Sequence, residues 1–233
     1  MAGILFIISA PSGSGKSTLV SQLRSLVDGL EFSVSTTTRK PRGSEQEGRE
    51  YHFTSREEFE RQVEADEFLE HAEVFGNYYG TARRALTEAE RNGKDLLLDI
   101  DVQGAGQVRG KMPEAVSIFV MPPTPEVLET RLRNRSRAEG SVDEAVIQRR
   151  LDKAKHEIEN YRDYSYILVN DVLDHAVEQL AAIVAAERQR HHPGVTTPDS
   201  ERLTKLAEEC RQTKAAGRLD PVLRAFGLEP ANV

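Results

Sequence analysis

Four short apolar runs recur along the chain, at residues 4–8, 95–100, 116–121 and 166–169. None of them alternates with polar residues, which is typical of strands buried on both faces of a parallel sheet. Helical patterns separate these runs. They predict a helix that ends at about Leu26 and further helices at about 83–92, 125–135, 142–160 and 172–190. Strands that alternate with helices in this way indicate an α/β fold.

Three places along the chain carry helix start signals. A Ser N-cap followed three residues later by Glu fits the capping box, and a Thr before Pro fits an N-cap with proline at the first helical position. These signals are Ser55 with Glu58, Ser141 with Glu144, and Thr124 with Pro125. The first of them predicts an additional helix at about residues 56–66.

Two polar stretches interrupt the α/β pattern. Residues 33–82 hold most of the aromatic residues and predict short strands in FSVSTTT, EYHFT and FLEHAEVF. We expect this stretch to form an inserted subdomain that binds an acceptor substrate. Residues 133–143 carry several arginines between two helices and predict a mobile lid. The core then comprises residues 1–32, 83–132 and 144–190, within a domain that spans 1–190.

The chain changes in character after residue 190. Residues 191–233 begin with a polar stretch that contains two prolines and continue with an amphipathic pattern from Leu203 to Cys210. A possible last turn follows Asp220 and Pro221. We predict a C-terminal extension that consists of a linker and an amphipathic helix.

Composition narrows the class of protein. The chain has 233 residues, of which 38% are hydrophobic and 30% charged, as is typical of a soluble globular protein. Its net charge of -7 argues against a protein that coats nucleic acid. Cys210 is the only cysteine, so no internal disulfide can form, which is compatible with a reducing cytoplasm. Since the run at residues 4–8 is too short for a secretion signal or a membrane span, we expect a cytoplasmic protein without a membrane partner.

A phosphate-binding loop follows the first apolar run. Residues 10–17 read APSGSGKS and match the pattern GxxxxGK[ST] except at Ala10, where the general pattern has glycine. This departure is tolerable only if Ala10 keeps a negative φ. The glycines allow backbone N–H groups to point at phosphate oxygens, Lys16 supplies a mobile cation, and Ser17 supplies a hydroxyl ligand for Mg²⁺. The sequence therefore predicts a nucleotide-binding enzyme.

Four further segments narrow the substrate. They are VSTTTRKPRGSEQEGREYHF at 34–53, FLEHAEVFGNYYGT at 68–81, LLLDIDVQG at 96–104 and YILVND at 166–171. Together they resemble guanylate kinase, from about Ile4 to Arg188. The resemblance implies the fold of P-loop nucleoside monophosphate kinases, a P-loop NTPase-type parallel sheet flanked by helices, with a GMP-binding subdomain at 33–82 and an arginine-rich lid. It also implies transfer of a phosphoryl group from ATP to GMP, and to dGMP as a further acceptor, with Mg²⁺ as the cofactor.

The resemblance assigns an acceptor phosphate site to two arginines and two tyrosines. Arg39 and Arg42 would hold the GMP phosphate as planar forks, and Tyr51 and Tyr79 would donate phenolic hydrogen bonds. Because this phosphate is already largely ionised at neutral pH, with a second pKa of about 6, the transfer requires no general base.

The guanine-reading positions of the family match Ser35 and Glu70, and Thr81 matches a position near the base. A carboxylate accepts hydrogen bonds from guanine N1–H and the exocyclic amine, whereas adenine presents an acceptor at N1. Such a site can discriminate by about 10⁴-fold or more. Asp99 and Asp101 lie at the carboxyl end of an apolar run, where open α/β sheets bind their ligands. Asp101 matches a position that contacts GMP, and we expect Asp99 to bind the water shell of Mg²⁺.

The donor side is predicted from the loop and from arginines downstream. Arg131, Arg135 and Arg150 match lid and helix arginines that close onto the phosphates, and with Lys16 they are the predicted catalytic residues. Magnesium would be bound by Ser17 and, through water, by Asp99. The ATP-binding residues would be Ala10, Pro11, Ser12, Gly13, Ser14, Gly15, Lys16, Ser17, Thr18 and Asn170.

Two other functions compete with this hypothesis. A guanylate-kinase-like interaction module would bind partner peptides without turnover, but such modules tend to have a damaged P-loop or lid. A kinase of the same fold could instead act on a ribose phosphate, which has no guanine edge for Glu70 to read. The intact motifs favour small-molecule substrates, ATP and GMP. They leave the oligomeric state open.

Overall fold

The computed structural model describes residues 3–138, 143–193 and 199–229. The chain forms two compact units, and the boundary between them falls inside the first strand. One unit extends through Ile7 and continues with Gly29–Val116. The other comprises Ile8–Asp28 and the chain from Ser117 onward. The division into core, subdomain, lid and extension that the sequence predicts stays a prediction.

Strands and helices alternate through most of the described chain. The strands are β1 (Leu5–Ser9), β2 (Leu30–Phe32), β3 (Thr36–Thr37), β4 (His52–Phe53), β5 (Phe68–Val74), β6 (Asn77–Ala82), β7 (Asp95–Asp99), β8 (Val116–Met121) and β9 (Tyr166–Val169). The helices are α1 (Lys16–Leu26), α2 (Arg56–Glu64), α3 (Arg83–Arg91), α4 (Val102–Lys111), α5 (Pro125–Ala138), α6 (Glu144–Glu159), α7 (Leu173–His191), α8 (Ser200–Glu209) and α9 (Ala216–Ala225). Short 3-10 helices lie at Asn160–Asp163 and Gln212–Lys214.

The main sheet has the strand order β2-β7-β1-β8-β9. β2 pairs in parallel with β7, and β8 pairs in parallel with β9. The four strands predicted from unalternating apolar runs are all present, and their side chains are almost entirely buried. The predicted α/β fold, a parallel sheet flanked by helices, is confirmed.

The first unit contains a second, four-stranded sheet with the order β4-β3-β6-β5. β5 and β6 pair antiparallel and place Glu70 opposite Thr81. The turn between these strands has positive φ at Phe75 and Gly76, 52° and 77°. On α2, Phe59 stacks on the rings of Phe68 and Tyr78, at centroid distances of 4.6 and 5.4 Å. These aromatic contacts hold α2 against the hairpin that carries Glu70.

The second unit is built around β8, β9 and the long helix α7. α7 buries Leu180, Ile183 and Val184 completely and packs against α1, α8 and β9. α5 packs against α6. Thr124 begins α5 as predicted, since its side-chain oxygen accepts from the N–H of Val127 at 3.3 Å.

The chain after residue 190 adds two helices to this unit. Between α8 and α9, Arg211 bridges antiparallel to Tyr166 of β9. The N–H of Ile167 donates to Cys210 O at 2.8 Å, and the N–H of Gln212 donates to Ser165 O at 3.0 Å. A short segment of the extension therefore pairs with the edge of the main sheet. The predicted turn after Asp220 is instead part of α9, which contains Pro221.

Several local predictions need correction. α4 was not predicted, because its sequence, VQGAGQVRGK, contains three glycines, which are poor helix formers. β2 and β6 were also missed, since short strands give little periodicity. Ser55 caps α2 as predicted, its hydroxyl accepting from Glu58 N–H at 3.1 Å. The N-cap of α6 is Asp143, whose carboxylate accepts two backbone N–H groups. The predicted cap, Ser141, lies outside the described residues.

Candidate active site

The P-loop makes a tight turn between β1 and α1. Gly13 and Gly15 have φ values of 91° and 88°, in the left-handed region that favours glycine. The non-glycine residues with positive φ among those described are Asp66 and Phe75, so Ala10 meets the condition set by its side chain. Gly15 begins α1 without a capping side chain, and no acidic residue occupies the first turn. The N-terminus of α1 is therefore suited to an anionic ligand.

Two predicted donor-side residues, Arg131 and Asn170, hydrogen-bond to the backbone of the loop. The carbonyl of Ser14 accepts a hydrogen bond from Asn170 Nδ2 at 2.7 Å and from Arg131 Nη1 at 3.0 Å. Arg131 Nη2 also donates to the carbonyl of Asn170 at 3.1 Å. A side chain at Gly15 would clash with this bracing, because a Cβ there would lie 2.4 Å from Asn170 Nδ2. Burial lowers the pKa of Arg131 from its ordinary value.

The remaining donor-side residues differ in exposure. Ser14 is fully buried, Pro11 is buried, and Ser12 and Lys16 are half-buried. Ser17 and Thr18 are exposed at the start of α1. The hydroxyl oxygen of Ser14 is a buried atom for which the described residues provide no hydrogen-bond partner. A loop with accessible hydroxyls and an unsatisfied buried oxygen is suited to a polar ligand.

The predicted lid arginines lie on helices in the described part of the chain. Arg135 is exposed near the end of α5, and Arg150 is half-buried on α6. α5 continues to Ala138, so residues 133–138 of the predicted lid segment are helical. Residues 139–142 of that segment lie outside the described residues. Arg133, on the same helix, pairs with Glu129 and Glu144 at 2.7 and 2.6 Å, as expected of a surface charge.

Three of the four predicted acceptor-phosphate residues lie together in the first unit. The guanidinium of Arg39 lies over the ring of Tyr51, 5.3 Å from its centroid, and Tyr51 contacts Tyr79 edge-on at 5.8 Å. Burial opposes the charge on Arg39, but hydrogen bonds to Glu45 and Tyr79 outweigh it and raise the pKa of Arg39. Arg42 is exposed.

Glu45 was not predicted from the sequence. Both of its carboxylate oxygens accept from Arg39 Nη2 at 2.9 Å, and Oε2 also accepts the backbone N–H of Arg42 at 2.8 Å. One carboxylate thus connects the segments of both predicted phosphate-binding arginines. Its spacing of three residues from Arg42 could have signalled this turn, since Glu45 N–H donates back to Arg42 O at 2.9 Å.

Glu70 is a buried carboxylate in the first unit, with a residue exposure of 3%. Thr81, opposite it on β6, donates its hydroxyl to Glu70 Oε1 at 2.6 Å. Burial raises the pKa of Glu70 to about 7, and the nearby charge of Asp101 acts in the same direction. The hydrogen bonds from Thr81 and the charge of Lys111 act against this rise. Ser35, the other predicted base-reading residue, is half-buried, and its carbonyl accepts from His52 N–H at 2.9 Å.

The two predicted aspartates lie at the carboxyl end of β7. Asp99 is the last residue of β7 and is half-buried. Asp101 caps α4, since its Oδ1 accepts the N–H of Gly104 at 2.9 Å. Oδ2 of Asp101 accepts from Gln103 Nε2 at 3.3 Å. The predicted roles of the two aspartates towards Mg²⁺ and GMP stay predictions.

A family comparison decides between the nucleotide enzymes that share a P-loop. A sequence model described as guanylate kinase matches residues 3–187 of the chain. The chain belongs to the guanylate kinase family. Its relatives include the guanylate kinase of Koribacter versatilis, 54% identical over 226 residues that cover 97% of each chain. That of Nitrosospira multiformis is 48% identical over 197 residues, which cover 82% of this chain and 92% of the relative.

A solved structure agrees with this membership. The crystal structure of guanylate kinase from Anaplasma phagocytophilum is 36% identical and has a TM-score of 0.66, over 80% of this chain and 86% of that chain. The alignment with the Koribacter guanylate kinase covers 97% of this chain, so it includes most of the region after residue 190. That relative therefore shares most of the C-terminal extension.

The described residues also bear on metal binding and on membrane association. In the described ranges, no group of three or more His, Cys, Asp or Glu side chains is arranged to hold a metal ion. This does not conflict with the predicted magnesium ligands, because Mg²⁺ binds through one or two protein oxygens together with substrate phosphates and water. A hydroxyl such as Ser17 and a carboxylate such as Asp99 supply the hard oxygen donors it prefers. No helix within those ranges is long and apolar enough to cross a bilayer.

Proposed function

We infer that this protein is an enzyme that transfers the γ-phosphoryl group of ATP to GMP and forms ADP and GDP. Membership of the guanylate kinase family supports the reaction class. The observation that carries the choice of acceptor is Glu70, a buried carboxylate whose hydrogen-bonding side-chain partner in the described chain is the hydroxyl of Thr81. Because no arginine among the described residues pairs with it, this buried carboxylate is suited to a ligand that donates two N–H groups.

Guanine provides this pair of donors. Its N1–H and exocyclic amine can both donate to one carboxylate, whereas adenine has an acceptor at N1 that would face the same oxygens. The wrong base would leave buried polar groups unpaired, and the expected discrimination is about 10⁴-fold or more. We assign Ser35, Thr81 and Asp101 to the same base and sugar region, and dGMP as a second acceptor.

The acceptor phosphate is assigned to Arg39, Arg42, Tyr51 and Tyr79. The contacts of Arg39 with Tyr51 and Tyr79 support this assignment, because they hold a planar cation beside phenolic donors. No general base is assigned, since a phosphate monoester with a second pKa of about 6 is already a nucleophile at neutral pH.

The donor phosphates are assigned to the P-loop and Lys16. The left-handed glycines and the uncapped N-terminus of α1 support this assignment. Ser17, together with water bound to Asp99, would hold Mg²⁺, which would offset negative charge on the ATP phosphates. Arg131, Arg135 and Arg150 would stabilise charge on the transferred group. Arg131 and Asn170 also keep the loop in shape through Ser14.

A coupled assay of ADP formation tests the proposal. GMP and dGMP should be phosphorylated, whereas AMP, UMP and CMP should react at least about 10⁴-fold less efficiently. Equal turnover of AMP would contradict the base assignment. Lys16→Met should abolish turnover and leave GMP binding intact. GMP binding by the wild-type protein without ATP turnover would favour an interaction module instead. Small-molecule partners and a cytoplasmic location accompany this proposal.

A further inference from the structure

One face of α4 lies along β5 at the level of Glu70. α4 packs against β5. Gly104, Gln107 and Lys111 are spaced by three and four residues, so they share one face of this helix. We call these three residues the α4 clamp. None of them was predicted as a functional residue from the sequence.

Gly104 leaves room for the Glu70 carboxylate. A Cβ built at Gly104 would lie 2.2 Å from Glu70 Oε2 and 2.8 Å from Glu70 Cδ. Both distances are shorter than a van der Waals contact distance. A side chain at position 104 would therefore displace the buried Glu70 carboxylate. φ at Gly104 is not positive, and its N–H donates to the Asp101 cap. Glycine is therefore needed here for space and not for backbone conformation.

Gln107 and Lys111 hold the strand on both sides of Glu70. Gln107 Nε2 donates to His71 O at 2.6 Å, and its Oε1 accepts His71 N–H at 3.2 Å. Lys111 Nζ donates to Leu69 O at 2.7 Å. The backbone groups of the residues before and after Glu70 are thus bound by side chains from the same helix face that contacts its carboxylate.

Two charged residues at the ends of α4 also affect the ionisation of Glu70. Asp101, at the N-terminus of α4, raises the pKa of Glu70, and Lys111, in the last turn, lowers it. Thr81 adds a neutral hydrogen-bond donor from β6. The cation at position 111 therefore favours the ionised carboxylate in a site where burial disfavours it.

We propose that the α4 clamp positions the Glu70 carboxylate against the base of the acceptor nucleotide and that Gly104 is a specificity-determining position. The proposal rests on the function proposed above, in which Glu70 reads guanine. The clamp residues are positioning residues, since they act through Glu70 and the backbone beside it.

The first test is Gly104→Ala, with Gly106→Ala and Gly110→Ala as matched controls. Gly106 and Gly110 are exposed on α4, and a Cβ at either would meet no heavy atom within 4 Å. All three changes raise helix propensity alike, but only the first intrudes on Glu70. Gly104→Ala should raise KM for GMP at least about tenfold, with KM for ATP unchanged, because a displaced buried carboxylate loses its hydrogen bonds. Wild-type KM values for GMP in Gly104→Ala would overturn the proposal.

A double-mutant cycle with Glu70→Ala separates this inference from the function on which it rests. If Glu70 binds the guanine base, Glu70→Ala alone weakens GMP binding. Adding Gly104→Ala to this variant then has no further effect on KM for GMP. Additive effects of the two changes would contradict the clamp. An unaltered KM for GMP in Glu70→Ala itself would contradict the proposed base reading.

A second variant covers the case in which Gly104→Ala does not fold. Gln107→Ala removes both contacts to His71 and should raise KM for GMP about threefold, with kcat and KM for ATP unchanged. Gln148→Ala is the matched control, since that exposed glutamine on α6 donates its side-chain hydrogen bond to the carboxylate of Asp152, which lies on the same helix. Equal KM values for GMP in Gln107→Ala and Gln148→Ala would count against the clamp.

Discussion

Two glutamates, Glu70 in the first unit and Glu187 in the second, are almost equally buried but have different surroundings. Their residue exposures are 3% and 4%. Glu187 accepts hydrogen bonds from Arg190 at 2.6 Å, from Arg211 at 2.9 Å and from the Tyr166 hydroxyl. Glu70 accepts from the hydroxyl of Thr81, and Lys111, a cation whose charge acts on Glu70, donates to a backbone carbonyl.

These surroundings distinguish a structural buried carboxylate, Glu187, from one suited to a ligand, Glu70. Glu187 lies where α7, β9 and the C-terminal extension meet, and the cations around it offset its desolvation. Burial and Glu187 together raise the pKa of Tyr166, so the phenol remains a donor to this carboxylate. Glu70 retains its desolvation penalty, which is seen in its raised pKa. A buried carboxylate left without a paired cation is a candidate for ligand recognition.

Replacing Glu70 should give the largest effect. Glu70→Ala should lower kcat/KM for GMP by about two to three orders of magnitude and bring it close to the value for AMP. The free energy of unfolding should not fall, because a desolvated charge is removed. Steady-state kinetics with both nucleotides and urea unfolding measure the two quantities. Wild-type selectivity in this variant would contradict the functional reading of Glu70.

Replacing Glu187 should affect stability instead of selectivity. Glu187→Gln leaves Arg211 and Arg190 beside an uncharged amide and should lower the free energy of unfolding by about 3 kcal/mol, because breaking a buried pair costs more than an exposed one. KM for GMP should stay unchanged. Glu60→Gln, which breaks an exposed pair with Arg56, should lower the free energy of unfolding far less, because solvent screens that pair. Urea titrations of all three proteins would test this, and equal losses in the two variants would contradict the contrast.

The pH dependence of GMP binding should report the titration of Glu70. Its pKa in the folded protein is raised to about 7 from an ordinary value of 4.5. Only the ionised carboxylate accepts from both guanine donors, so affinity for GMP should rise about tenfold between pH 6 and pH 8. Calorimetric titrations with Glu70→Gln supply the control, because they retain the titration of the GMP phosphate alone. Identical profiles for the two proteins would contradict the assignment.

The contribution of Glu70 to folding stability changes with pH in the opposite direction to GMP affinity. Because the folded-state pKa of Glu70 is above its unfolded value, its contribution to stability is fully present below about pH 4.5 and is lost as the pH rises through about 7. Ligand recognition and stability thus depend on opposite protonation states of one carboxylate.

A smaller effect than those of Glu70 and Glu187 is expected for Thr81. Thr81→Val keeps the shape of the side chain but removes the hydroxyl that donates to Glu70, so it should raise KM for GMP about fivefold. The pKa of Glu70 should rise further, since that hydrogen bond favours the ionised form. Kinetics across pH would measure both effects. Ser25→Ala, which removes an exposed hydroxyl on α1, should change neither quantity.

Sequence reasoning succeeded where one element carries its own signal. The buried strands β1, β7, β8 and β9 were predicted because unalternating apolar runs are local patterns. The start of α2 at Ser55 was predicted because the capping residue and the N–H group it accepts are three residues apart. It failed for α4, whose glycines hide a helix that packing against β5 stabilises. The N-cap of α6 was also predicted wrongly. The capping-box pattern of Ser141 and Glu144 indicated Ser141, whereas the capping residue is Asp143.

The candidate site divides in the same way. The conformation of the P-loop could be predicted from the sequence, because its left-handed glycines and its helix start are consecutive. Glu70 was found through a family resemblance, but nothing in the sequence showed that it is buried or that Gly104 lies against it. Glu45 was missed because its pairing with Arg39 depends on how a polar turn folds.

The amino-acid sequence was sufficient to predict the α/β fold, the P-loop and the family, because each depends on residues close together in the chain or on a dense set of motifs. The three-dimensional fold was needed to show that Glu70 is buried without an ion-paired cation among the described residues, that Glu187 is buried with two, and that α4 confines Glu70. The physical reason is that a carboxylate's charge state depends on groups from distant segments, such as Thr81 and Lys111 for Glu70. Only folding brings these groups within reach.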